Sequence, residues 1–270
     1  MSQWNAQDYA KSSSVQAIWA QELIAKLNIR GNEAVFDVGC GDGKMTAEIA
    51  KRLPNGFVLG IDSSSEMVEF AISEHLQPAI ANLQFACMDA REIVSDSFPE
   101  RLRDRPFDIV FSNAVLHWVN DHPAFLRGAS RVLRSGGRLL TSCGGKGNAA
   151  DIVSVFQALI QQSSWQPYFT NFQFPYFFYS PHEYADWLAE SGFQPVRVDL
   201  VPKDMIHTGK EGLAGWIRTT WMPYIHRVPE SRREELIEEF LQKYLNQHPL
   251  DCQGNSHVKM VRLEVEAIKI

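Results

Sequence analysis

Asp37 is followed by glycines at every second position, Gly39, Gly41 and Gly43, in the stretch VFDVGCGDGKMT, residues 35–46. Glycine tolerates positive φ and lets another group come against bare backbone, at a cost in chain entropy. Three glycines within five residues therefore read as a backbone cradle, with the Asp37 carboxylate beside it to attract a cationic group. Asp62 follows 19 residues after Gly43, where a carboxylate can accept the paired hydroxyls of a sugar. Asp89 with Ala90 and Asn113 with Ala114 close two further apolar runs. His117, in AVLHWV, is the nearest candidate general base; a packed or helix-capping imidazole is the equal alternative.

These residues need elements to position them. AVFDVG is a short apolar strand, and KMTAEIAKRL is a helix stopped by Pro54-Asn55-Gly56. FVLGID is a second strand, and Ser63 to Glu74 a second helix with Ser63 to Ser65 available to cap it. NLQFACMD and PFDIVFSNA are a third and a fourth strand. A helical Asp121–Leu133, the turn RSGG and a fifth strand, GRLLTSC, follow. Strands alternating with helices of this length predict an α/β fold, a right-handed, doubly wound, mostly parallel sheet of Rossmann-like type. Ligands bind such sheets at the carboxyl ends of the strands. Ser14 to Leu27 carries apolar residues at helical spacing ahead of this core. After Cys143 come helices, an aromatic loop, and strands at QPVRVDLVPKDMIH and HVKMVRLEVEAIKI. The expected division is a cofactor-binding core with its N-terminal segment over 1–145, then helical cap insertions and the remaining strands over 146–270, the cap lying over the carboxyl edge.

Asp62, Asp89 and Asn113, with the glycine turn, let four successive strand ends grip a nucleoside. The dinucleotide fingerprint GxGxxG spaces its last glycine differently from the GxGxG found here. A pyrophosphate would be repelled by Asp37, whereas the amino group of a methionine moiety would be attracted. The motif resembles motif I of the class I S-adenosylmethionine methyltransferases, and the resemblance runs through Asp62, Asp89 and FDIVFSNAVLHWV over most of residues 35–145. It implies S-adenosyl-L-methionine as cofactor. Asp37 and the Gly39 backbone would hold the amino acid group, Gly41 the close approach, and Gly43 the packing of helix on strand. Asp62, with Ser63 and Met67 behind it, would hold the ribose diol. Asp89 and Ala90 would meet the adenine amino group, with Asn113 at the fourth strand end.

Methyl transfer is an in-line displacement that depends on proximity, orientation and desolvation. A base is needed only when the nucleophile carries a proton, and a carboxylate does not. WNAQDYAKSSSVQ and SNAVLHWVNDHPAFL resemble segments of trans-aconitate methyltransferases, and DYAKSSSVQ with LHWV resembles insect juvenile hormone acid methyltransferases. Both families esterify a small acid. The second implies that Gln16 and Trp118 hold the substrate carboxylate through N–H donors. GWIRTTWMPYI resembles a cap segment of the trans-aconitate group, where Arg218 either pairs with a second carboxylate or sits on a solvated helix face. The loop YFTNFQFPYFFY either lines an apolar pocket or is cap core. Methylation of a phenolic oxygen, a nitrogen or a carbon would leave the same fold and cofactor motifs.

Composition sets the remaining bounds. The 270 residues are 45% hydrophobic and 21% charged, with a formal net charge of −6, which argues against a nucleic-acid partner. No apolar run approaches the length of a membrane span. Cys40, Cys87, Cys143 and Cys252 are far apart without CxxC spacing, as expected of free thiols in the cytoplasm and not of a disulfide or metal site. The expected partner is a small-molecule acid.

Overall fold

The computed structural model describes residues 14–76, 81–93, 98, 102 and 105–270, with the side chains of 14–18 outside that set. Its sheet is built from β1 (Ala34–Val38), β2 (Phe57–Asp62), β3 (Leu83–Cys87), β4 (Phe107–Asn113), β5 (Leu133–Gly144), β6 (Phe193–Thr208) and β7 (Asn255–Lys269). The spatial order is β3-β2-β1-β4-β5-β7-β6. Strands β1 to β5 pair in parallel, and β7 returns antiparallel along β5. The order therefore turns around between β1 and β4, the switch point at which doubly wound sheets open a crevice.

The residue pattern explains why both faces are covered. Every residue of β1 is buried, as a central parallel strand requires. Phe36, Leu59, Val110 and Leu139 share one core with Phe125, Leu126 and Ala129 of α4 (His122–Val132) and with Tyr184 and Leu188 of α6 (Pro181–Glu190). Val35, Val58, Ile109 and Leu140 share the opposite core. That face is covered by Leu23, Ile24 and Leu27 at the end of α1 (Ser14–Lys26), Ile49 of α2 (Lys44–Lys51) and Ala71 of α3 (Ser65–His75). Each large apolar side chain moved out of water contributes roughly 1.5–3 kcal/mol, so both layers are strongly held. Glu264 on β7 is nearly buried and takes Lys26 Nζ and an Arg197 nitrogen, each at 2.7 Å, tying the end of α1 to the sheet.

RSGG is not a turn between elements. It lies inside β5, where Gly136 at φ +71° takes up an irregularity. Phe107 pairs with Leu133 but Ile109 with Arg138, so the extra residues are absorbed as a bulge.

The chain divides into two compact units. Residues 16–146, 176–201 and 262–270 form the sheet unit. The other unit takes residues 147–175 and 202–261. It holds α5 (Ala150–Ile160), α7 (Gly209–Thr220), α8 (Met222–Ile225) and α9 (Glu230–Gln247). Its core centres on Phe156, whose ring stacks on Tyr224 at 4.4 Å, Phe240 at 4.3 Å and Trp221 at 5.4 Å. Helices α7 and α8 are separated at Trp221, with Pro223 in the first turn of α8. Among the described residues, no helix is long and apolar enough to cross a membrane.

Candidate active site

The glycine turn leaves the carboxyl end of β1 in the sheet unit. Asp37 is 2% exposed, and Thr46 on α2 donates its hydroxyl to Asp37 Oδ2 at 2.6 Å. Burial pushes the Asp37 carboxyl up to about 7; the Thr46 bond works against this and the Asp62 charge adds to it. Gly39, Gly41 and Gly43 have φ of +78°, +52° and +78°, the left-handed region in which a side chain is strained. The N–H groups of Gly39 and Cys40 both donate to Ile61 O, at 2.8 and 2.9 Å, so the turn curls toward β2.

The three glycines are needed for different reasons. A Cβ on Gly39 would lie 2.3 Å from Val115 Cγ1. A Cβ on Gly43 would lie 2.7 Å from both Ala71 and Phe85. Both keep protein packed on protein. At Gly41 a Cβ would meet nothing within 4 Å, so its bare backbone faces open space.

Asp62 ends β2 opposite this turn. Its Oδ2 accepts the Gly41 N–H at 3.0 Å and its Oδ1 the Ser64 N–H at 2.9 Å, fixing the carboxylate plane. Burial raises the Asp62 pKa against those bonds. Each carboxylate oxygen keeps a further lone pair for a hydroxyl donor. Ser64 caps α3 by accepting the Met67 N–H at 3.3 Å, Met67 itself is buried, and Ser63 is exposed. Asp89, past the end of β3, is taken by Arg91 through Oδ1 at 3.0 Å and Oδ2 at 2.6 Å, which holds its carboxyl below the usual range. Ala90 is half-buried beside it.

The third wall follows β4. Ala114 takes φ +59°, unusual for a residue with a side chain, and its N–H donates to Ser142 O at 2.7 Å. That turn sets Val115 over Gly39 and starts the 3-10 turn Leu116–Trp118. The turn is pinned from behind by His122, fully buried, whose Nε2–H donates to Leu116 O at 2.7 Å while Nδ1 accepts from the Tyr184 hydroxyl. Burial holds His122 down to about 4, so it is a neutral structural link at working pH. The Gly144 N–H donates to His117 Nδ1 at 3.3 Å, which assigns the ring proton to Nε2. Desolvation first, then the Arg262 charge, lowers His117 to about 3. Trp118 lies 4.7 Å from the Tyr176 ring, and Tyr176 stacks on Phe178 at 5.6 Å and 7°. Arg262 NH2 reaches Asn113 Oδ1 at 3.5 Å.

The sheet unit thus brings Asp37, Gly39, Gly41, Asp62, Asn113, His117 and Trp118 to neighbouring strand ends. Gln16 lies in the first turn of α1, and its side chain falls outside the described residues. Arg218, in the helical unit, gives its fork to Glu234, with Nε to Oε1 at 2.9 Å and NH2 to Oε2 at 2.8 Å. The aromatic loop splits. Phe169 and Phe172 pack toward Tyr224 in the helical unit, whereas in the sheet unit the rings of Tyr176 and Phe178 stand by His117 and the Phe177 N–H donates to His117 O at 2.9 Å. His122 and Arg262 escaped the sequence reading. Arg262 sits in a strand with no motif, where Lys259, Glu264 and Glu266 are charged as well and nothing singles it out.

A nucleoside with a cationic amino acid tail fits what these residues offer: open space at Gly41, a desolvated carboxyl at Asp37 and a fixed one at Asp62. Comparison with known proteins agrees. Residues 29–173 match the family model described as a methyltransferase domain, and the chain belongs to that family. It is an S-adenosylmethionine-dependent methyltransferase of a small organic molecule. It is similar to an uncharacterised methyltransferase of Schizosaccharomyces pombe, 29% identical with 84% of each chain covered. It is likewise similar to the trans-aconitate 2-methyltransferase of Deinococcus radiodurans, 28% identical over 91% of this chain and 92% of that one. Among solved structures, the YcgJ protein of Bacillus subtilis shares the fold with a TM-score of 0.60, at 19% identity over 94% of this chain and 98% of that one.

Proposed function

We propose that the acceptor atom is a carboxylate oxygen of a small acid, and that the product is a methyl ester. The observation that carries this reading is the state of His117. The one imidazole at the expected place for a base has its Nδ1 occupied by the Gly144 N–H and is held at about 3, so it cannot take up a proton near neutrality. What His117 presents is an Nε2–H donor, which suits a nucleophile that arrives already ionised. The similarity to trans-aconitate 2-methyltransferases supports the same reading, since it spans nearly the whole chain.

The roles we assign draw on the arrangement of the strand ends and, for Gln16 and Trp118, on the family resemblance. When bound, the cofactor supplies an electrophilic methyl group on sulfur. Asp37, ionised by a cationic neighbour, holds the ammonium of the methionine half, and the Gly39 and Gly41 backbone admits the tail. Asp62 accepts the ribose hydroxyls, with Ser63 and Met67 beneath. Asp89 and Ala90 flank the base, and Asn113 closes the β4 side. Gln16 and Trp118 aim the acceptor carboxylate through N–H groups without quenching its charge. We also place the protein in the cytoplasm, in keeping with four cysteines that are all free thiols.

The test is a pH–rate profile with site variants. Activity per bound substrate stays nearly flat from about pH 6 to 9, because the acid is ionised throughout. Gln16→Ala and Trp118→Phe each lower kcat/KM by roughly 10- to 100-fold, the worth of one or two orienting hydrogen bonds. A rising limb near pH 7 that vanishes in His117→Ala, with Gln16→Ala close to wild type, contradicts the proposal and points to a protonated nucleophile.

A further inference from the structure

The turn Leu116–Trp118 has little to hold it from within. It is a single 3-10 turn, whose hydrogen-bond geometry is poorer than that of an α-helix, and it is entered through Ala114 at φ +59°, a strain the surroundings must offset. Its outer bonds are therefore informative. Leu116 O accepts the Val119 N–H at 2.8 Å, which closes the turn, and His122 Nε2–H at 2.7 Å, which anchors it. His122 opens α4, whose Phe125, Leu126 and Ala129 are packed in the sheet core. The hydroxyl that sets its ring belongs to Tyr184 of α6, and both side chains are fully buried. An apolar residue would fill that space without the cost of burying an imidazole, so the bonds are what the imidazole brings.

A second segment meets the first at the same joint. The Tyr179 ring stands edge-on to His122 with centroids 4.6 Å apart, and its hydroxyl donates to Asn120 O at 3.2 Å. Two residues earlier the Phe177 N–H donates to His117 O at 2.9 Å, and the Tyr176 ring lies 4.7 Å from Trp118. His122 thus ties the turn bearing His117 and Trp118 to the 176–179 segment packed on it, all within the sheet unit.

We propose that His122 is a positioning residue of the methyl acceptor site, its Nε2–H fixing the Leu116–Trp118 turn, and with it His117 and Trp118, at one place against the acceptor. The inference rests on the carboxylate-ester reading and on the placing of this turn at the acceptor. Fully buried, His122 meets neither ligand and acts through a backbone carbonyl. Its loss therefore leaves the cofactor end at Asp37, Gly41 and Asp62 intact and loosens only the acceptor end. Misplacement by about 1 Å can cost roughly 100-fold in an aligned displacement, so a single anchoring bond behind the turn has a measurable effect on rate.

The experiment uses the full chain as wild type, H122N, H122Q and Y184F. Methylation is followed with trans-aconitate, trans-cinnamate and decanoate, taking whichever acid the wild type esterifies fastest, and S-adenosylhomocysteine affinity is measured on each variant by calorimetry. Asparagine places its amide where Nδ1 stands and can answer Tyr184 but not Leu116, whereas glutamine reaches as far as Nε2 and can donate to Leu116 O. H122N should lower kcat/KM for the acid by about tenfold or more while S-adenosylhomocysteine affinity stays nearly unchanged. H122Q should recover most of that loss, which a merely structural role would not produce. Equal loss in H122N and H122Q, or S-adenosylhomocysteine affinity falling in step with kcat/KM, overturns the positioning role and leaves the ester reading standing. A wild type that esterifies none of the acids overturns both. If the His122 variants do not fold, Y184F decides. It keeps the ring packing and removes only the hydroxyl that sets the imidazole, so kcat/KM equal to wild type refutes the proposal and a several-fold loss at unchanged S-adenosylhomocysteine affinity supports it.

Discussion

Replacing Asp37 by asparagine should make the ligand-free protein more stable at alkaline pH and destroy cofactor binding. An unfolded Asp37 ionises near its ordinary 3.8, whereas the folded one waits until about 7. Between those values the folded state binds more protons than the unfolded one, so this group's contribution to stability falls as pH rises through that window and levels off above it. Roughly three pH units at 1.36 kcal/mol each puts the full cost on the order of 4 kcal/mol by pH 8.5. Asparagine keeps an acceptor for Thr46 but leaves a buried N–H₂ to satisfy, which returns about 1–3 kcal/mol of that gain. The assay is thermal unfolding of both proteins without ligand from pH 5 to 8.5, read as a difference curve. D37N should run level with or below wild type near pH 5 and above it at pH 8.5. In wild type, S-adenosylhomocysteine should bind more tightly as pH rises toward 7 and then level off; in D37N no binding should remain. Parallel stability curves across the range, or full cofactor affinity in D37N, would refute the reasoning.

Three further outcomes follow from the same turn and its neighbours. Gly39→Ala should lower the melting temperature sharply, because its Cβ would lie 2.3 Å from Val115 at a φ of +78°. Gly41→Ala meets nothing within 4 Å, so it should cost only about 1–2 kcal/mol of left-handed strain while weakening S-adenosylhomocysteine binding far more; calorimetry beside melting curves separates the two. Asp62→Ala should weaken S-adenosylhomocysteine by about 2–3 kcal/mol in a folded protein, as loss of a charge-assisted contact to two hydroxyls requires; unchanged calorimetric affinity would remove Asp62 from the site.

The sheet was legible because its strands are near-continuous apolar runs broken by turn chemistry, as at Pro54-Asn55-Gly56 after α2. RSGG misled for a physical reason: a glycine at positive φ serves a bulge as well as a turn, and only the pairing partner on β4 distinguishes them. In the site, the spacing of Asp37, Gly39, Gly41 and Asp62 was readable because backbone constraint is local. It did not show that Gly39 and Gly43 make room for Val115, Ala71 and Phe85, which come from distant segments. Arg218 illustrates the opposite limit. The sequence left open whether it pairs with a substrate carboxylate or lies on a solvated helix face, and the carboxylate that takes its fork, Glu234, lies 16 residues on in another helix. Arg262 was invisible because its contacts with Ser142 and Asn113 depend on the register of an antiparallel strand far along the chain.

The most direct measurement is the chemistry of the transferred methyl group. The protein is incubated with methyl-labelled S-adenosylmethionine and a panel of small mono- and polycarboxylic acids, and the labelled product is treated with mild alkali. An ester of a carboxylate releases its label as volatile methanol, and that is the result expected. Label that stays with the acceptor through alkali would mean an ether, amine or carbon product, and would contradict the assignment of a carboxylate nucleophile.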